Sequence, residues 1–164
     1  MTQSMNSQLH QLADRLSLQA PQSSPLALAF GLACAKRVEH LLEEAEVVDC
    51  LNVMEQYVAG HASAEALDKA SQAAAVLANQ HRGSKSIDGC GHAAVSATYG
   101  ISKAIAGKAA EAAEYCAYAA IYASGGYAAV ADRDAFEPEY AWQVRQLQAL
   151  AEAAGAPSLV TLLT

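Results

Sequence analysis

The sequence predicts an all-α protein, a compact alanine-rich bundle of about six or seven helices. Three observations carry that prediction. Alanine supplies 39 of the 164 residues; it has the highest intrinsic helix propensity, and its small side chain lets helix backbones approach closely. Apolar residues recur at spacings of three and four in one segment after another, the period of a helix with one buried face. Residues that open and close helices stand at the joins between those segments.

Leu9, Leu12, Ala13 and Leu16 mark a first helix that ends before Pro21, with residues 1–22 as helix and linker. Ser24-Pro25 predicts the next opening, the serine capping free N–H groups and the proline sitting in the first turn, where its missing donor costs nothing. The helix so opened, LALAFGLACAKRVEHLLEE, reads as buried in its first half and surface-bound in its second, with Arg37 and Glu39 near the change. A third helix, about Val47 to Ala59, presents Leu51, Met54 and Val58 and ends at Gly60. Ser63 caps a fourth, through about Asn79, with Leu67, Ala70, Ala74 and Leu77 on one face. HRGSKSIDGCG, from His81 to Gly91, is a turn-rich loop.

From His92 to Tyr127 the sequence predicts two central alanine-rich helices. The second, about Lys108 to Ser124, carries Tyr115, Tyr118 and Tyr122 on one face. No charged residue occurs between Tyr115 and Ala131, so that helix is expected to be enclosed on most sides. Gly125-Gly126 ends it, and Asp132 to Glu137 forms a polar connection. A last helix opens at Pro138 and turns Trp142, Leu147 and Leu150 inward, and residues 156–164 form an apolar tail expected to pack back. With no fixed-period repeat, one domain over 1–164 is expected rather than a solenoid.

The formal net charge of −7 disfavours nucleic acid and anionic membrane, which need clustered Lys and Arg. The longest uncharged run falls short of the roughly 18 apolar residues of a spanning helix, and the first twenty residues do not resemble a secretory signal. Four scattered cysteines make neither a disulfide framework nor a zinc ribbon, so a reduced, cytoplasmic protein is expected. Homo-oligomers stay open.

Asp88, Cys90 and His92, with His81 across the loop, are capable of binding metal. No second ligand pair follows at a familiar spacing, so the loop reads as glycine-rich rather than as a metal site. Glu39, His40 and Glu43 on one helix and Glu111 and Glu114 on another lack the Glu-x-x-His pattern of a carboxylate-bridged metal pair. Cys34 reads as a small apolar packer. No cofactor motif and no catalytic residue emerges, and the chain reads as a non-enzyme.

The most informative charge feature is a gap. From Val38 through Asp68 there are eight acidic residues and no Lys or Arg. One account is a solvated face that keeps an alanine-rich protein soluble. The other is a docking surface for a basic protein, with Glu43, Glu44, Glu46, Asp49 and Glu55 providing the attraction. A different class of function, a helical small-molecule-binding or enzymatic domain, would use a pocket lined by Tyr99, Tyr115, Tyr118, Tyr122 and Trp142.

FGLACAKRVEHLLEE, the AAEYCAYAAIYA helix and EPEYAWQVRQL, in that order over roughly Pro25 to Leu150, resemble a family of immunity proteins of bacterial polymorphic-toxin systems, the class numbered five. Its clearest pieces are the segment Cys34 to Val38 and Trp142-Gln143. The chain departs from the family pattern at Lys36, where members tend to carry an acidic residue. The resemblance implies an all-helical, non-enzymatic cytoplasmic protein that binds and neutralises a cognate toxin.

Overall fold

A computed structural model describes residues 6–80 and 90–155. Among them it contains seven α-helices and no strand. They are α1 (Ser7–Arg15), α2 (Ser24–Arg37), α3 (Ala45–Val58), α4 (Ala64–Gln80), α5 (Cys90–Ile105), α6 (Ala109–Val130) and α7 (Glu137–Ala153), with 3-10 turns at Pro21–Ser23, Glu39–Leu41 and Arg133–Phe136. The expected all-α bundle is the architecture observed. Asp88, the side chain of Cys90 and the 156–164 tail lie outside the described residues.

α5 and α6 form the most extensive helix pair, and α2 crosses both of them while also touching α3 and α7. The core at these crossings is built from small residues: Ala97, Ala104, Ala112, Ala113 and Ala119 are wholly buried, with Phe30, Leu51, Met54, Ile101 and Leu147 as the larger fillers. Backbones come close enough that a Cβ built on Gly100 of α5 would stand 2.6 Å from Cys116 Sγ of α6.

Several helix ends follow the sequence. The Ala66 N–H donates to Ser63 Oγ at 3.0 Å. Gly60 takes the left-handed conformation after α3, φ +86°, and the His61 N–H closes the motif on the Gln56 carbonyl.

Others differ. Ser24 is not a cap, because the turn Pro21–Ser23 runs straight into α2, whose first residue it is. α2 does not reach Glu44: it stops at Arg37 and the chain enters a 3-10 turn. In that turn Val38 is completely buried and Leu41 and Leu42 pack on the core while Glu43 faces solvent; the i, i+3, i+4 spacing of the three apolar residues would suit a continuous helix equally well, so their pattern does not mark the boundary. Val58, expected in the core, is 40 % exposed, since it sits in the last turn of α3, beyond Met54. At the glycine pair the tyrosine helix does end as the sequence predicts, Gly126 leaving the helical conformation with φ 65° and ψ −151°, but a second helical stretch follows at once and carries α6 on to Val130.

Candidate functional site

The C-terminus of α2 meets the N-terminus of α7. Arg37, the last residue of α2, donates from Nε to Glu139 Oε2 at 2.6 Å and from Nη2 to Oε1 at 3.1 Å. Its guanidinium also lies 4.2 Å from the centre of the Trp142 ring. The placement suits both helix dipoles, with a cation at a C-terminus and a carboxylate in a first turn. The Glu139 side chain is 9 % exposed and that of Arg37 40 %, so the acid is anchored while part of the guanidinium stays at the surface.

One turn further into the bundle, Gln143 is buried and bonded through both ends of its amide. Its Nε2 donates to the Ala113 carbonyl at 2.8 Å, and its Oε1 accepts from Asn6 Nδ2 at 3.1 Å. Asn6 Nδ2 also donates to the Tyr140 carbonyl, and Asn6 Oδ1 caps α1 through the Leu9 N–H. Residues from α1, α6 and α7 thus share one satisfied polar network, the form in which buried polar groups stabilise rather than destabilise.

Beside Arg37, Lys36 reaches Glu39 at 2.8 Å and Glu55 at 3.5 Å. Lys36 thus partners two acids of the basic-free stretch, Glu39 and Glu55, and Lys69 pairs with a third, Glu65, at 3.5 Å. Glu43, Glu46 and Asp49 are exposed and Glu44 half-buried, grouped around the extended entry to α3 and its first turns. Arg37 thus ties the segment Cys34 to Val38 to the first turns of α7 through Glu139 and Trp142.

The tyrosines do not converge on a pocket. Tyr99 of α5 stacks on Tyr115 and its hydroxyl donates to Asn79 Oδ1. Tyr118 stacks on Tyr122, which meets Tyr127 edge-on and lies against His92. Tyr127 Oη is 2.7 Å from His92 Nε2. Tyr122 is buried, whereas Tyr115, Tyr118 and Tyr127 are 37, 36 and 65 % exposed. α6 is thus not enclosed on most sides, because α5 covers only one flank of its aromatic row. Trp142 belongs to the Arg37 cluster instead. An open cleft of about 600 Å³ lies between the end of α1 and the α5–α6 turn, lined by His10, Asp14, Leu18, Lys108 and Glu111 among others. None of the five predicted pocket residues lines it.

Among the described residues no group of three or more His, Cys, Asp or Glu side chains is placed to hold a metal ion. His92 pairs with Tyr127. Glu111 and Glu114 turn to Lys103 and His10. No helix among the described residues is long and apolar enough to cross a membrane.

Cys34, Cys50 and Cys116 are buried free thiols. Burial, reinforced by the Glu139 charge, pushes Cys116 up to about 12. Cys34 is raised well above the ordinary thiol range by burial and then by Cys116 and Glu139, and Cys50 is raised by burial and its acidic neighbours. Unfolded thiols ionise near pH 8.5 while these keep their protons, so above that pH the unfolded state binds fewer protons and stability falls. The thiol contribution should be flat below about pH 8 and then fall by up to about 1.4 kcal/mol per pH unit for each such thiol. In urea titrations at pH 7, 9 and 10, Cys34→Ala/Cys116→Ala should show a shallower decline than the parent; equal slopes would refute the assignment.

Comparison with family models, curated proteins and solved structures finds no match. Fold and site therefore define the class by themselves: an all-α bundle whose most distinctive surface chemistry is an acidic stretch beside an Arg–Glu–Trp cluster. Glu139 and Gln143 escaped the sequence reading as site residues. No local signal marks them, because their partners, Arg37 for Glu139 and Asn6 and the Ala113 carbonyl for Gln143, lie far away in the chain.

Proposed function

We propose that the chain is a non-enzymatic protein-binding module that captures and neutralises a basic protein, in the manner of the immunity proteins its sequence resembles, and that it does so in the cytoplasm. The observation that carries this reading is the distribution of charge around α3. From Val38 to Asp68 eight acids occur without one Lys or Arg, and the two cations just before the stretch are already engaged, Arg37 by Glu139 and Lys36 by Glu39 and Glu55. Glu43, Glu46 and Asp49, the exposed acids around the start of α3, then act together on an approaching partner, raising the association rate by steering and disfavouring acidic competitors. No bond is broken and no proton is moved.

The test uses partners recovered from the native host and compares the parent with Glu43→Lys, Glu46→Lys and Asp49→Lys combined, all three being exposed in the parent. Glu46 lies in the first turn of α3, so its reversal costs a few tenths of a kcal/mol against the helix dipole. Association with a basic protein should slow about tenfold or more at low salt and lose most of its salt dependence. Unchanged kinetics in a folded triple variant would remove the acidic stretch from the mechanism, and recovery of a small metabolite with no protein would favour a ligand-binding domain.

A further inference from the structure

We propose that the exposed aromatic face of α6 is the contact between two copies of this chain. Tyrosine combines a large apolar ring with a polar tip and is enriched at protein interfaces. Here three such rings, Tyr115, Tyr118 and, just past the break at Gly126, Tyr127, are 37, 36 and 65 % exposed. They are held by stacking on Tyr99 and Tyr122 and by the Tyr127–His92 contact, so little side-chain freedom is left to lose on binding. Ala123, Ser124 and Gly125 are exposed between Tyr118 and Tyr127, leaving room for an opposing ring.

Charge selects the occupant. Each copy carries −7, and the 17 residues from Tyr115 to Ala131 carry no charge at all. With no acid among those residues the face offers a basic partner no ion pair of its own, whereas two acidic copies meet here with less repulsion than at a charged face, Glu111 and Glu114 at its edge being turned to Lys103 and His10. The acids of the α3 stretch sit on a helix that packs against α2, α4 and α5. A two-fold contact presents the same ladder on both sides, the commonest form of homo-oligomer.

Area sets the strength. At about 200 Å² for a fully exposed tyrosine the three rings leave roughly 280 Å² bare, about a third of the roughly 800 Å² each partner gives to a standard interface. The small residues between the rings extend the face, so dissociation constants of tens of micromolar are expected rather than nanomolar ones.

This inference does not rest on the toxin-binding reading, and salt separates the two. Attraction of a basic partner weakens as salt rises, while self-association of a −7 chain tightens as repulsion is screened. Sedimentation velocity of the full chain from about 5 to 500 µM, at about 50 and 500 mM NaCl, should show a monomer–dimer equilibrium that tightens about threefold or more in the higher salt. Tyr118→Lys and Tyr127→Lys, alone and combined, should abolish the dimer with helical content unchanged. Because Tyr127 contacts His92, Tyr118→Lys alone decides the matter if the Tyr127 variants do not fold. A parent that stays monomeric at the highest concentration and salt, or a dimer that survives Tyr118→Lys, overturns the proposal.

Discussion

Replacing Arg37 by alanine should destabilise the protein by about 3 kcal/mol, the low end of the cost of leaving one member of a buried ion pair alone. The low end applies because Arg37 is 40 % exposed and water can reach part of the gap, whereas Glu139 is only 9 % exposed. The lost contact with Trp142 adds about 0.5–1 kcal/mol. For a domain of this size the melting midpoint should fall by roughly 2–4 °C per kcal/mol. Arg37→Lys should recover little, since an ammonium cannot supply the two-pronged bond to Oε1 and Oε2. Glu139→Gln should cost less than Arg37→Ala, because the buried group then carries no charge. Joint replacement, Arg37→Leu with Glu139→Met, should recover most of the loss, as apolar substitutes for buried pairs often do. Arg37→Ala within 0.5 kcal/mol of the parent in urea titrations would show that the cluster does not hold α2 to α7.

That cluster also marks the limit of what the sequence makes legible. Helix period, Ser63 and Gly60 are local signals, and local signals located α3, the start of α4 and the end of α3 with little error. The boundary between Arg37 and Glu44 was lost because Val38, Leu41 and Leu42 continue an apolar pattern that either a helix or a tight turn can bury. The aromatic row shows a different gap. Spacings of three and four establish that Tyr115, Tyr118 and Tyr122 share a face, but only the neighbours decide whether that face is covered, and α5 covers Tyr122 while leaving much of the other two bare. Glu139 and Gln143 look like surface residues in any window of the chain. Their burial depends on Arg37, more than a hundred positions earlier, and on the Ala113 carbonyl. The acidic stretch was legible as a run of charge. That Lys36 withdraws Glu39 and Glu55 from it was not, because the bridge from α2 to α3 is tertiary.

The tightest helix contact yields a result that additivity would not. Gly100→Ala should gain about 1 kcal/mol of helix propensity, yet its new Cβ would stand 2.6 Å from Cys116 Sγ, with the Cys116 backbone N at 3.5 Å and Tyr115 Cβ at 3.6 Å. The sulfur is buried and its side chain has one rotatable bond, so relief requires α5 and α6 to separate or Cys116 to turn into other packed atoms. Overpacking of this kind costs typically 1–3 kcal/mol, and a net loss of about 2 kcal/mol is expected. Cys116→Ala alone removes a buried sulfur and should cost about 1 kcal/mol or somewhat more. The double variant should be more stable than the sum of the two predicts by about 1–3 kcal/mol, since the alanine methyl at 100 moves into the space the sulfur vacates and keeps its helix-propensity gain. A cycle that closes additively would mean that α5 and α6 part easily at Gly100. In that case the small-residue crossing is not what sets the spacing of the central pair, and the position of the tyrosine ladder that rides on α6 would have to be fixed from elsewhere.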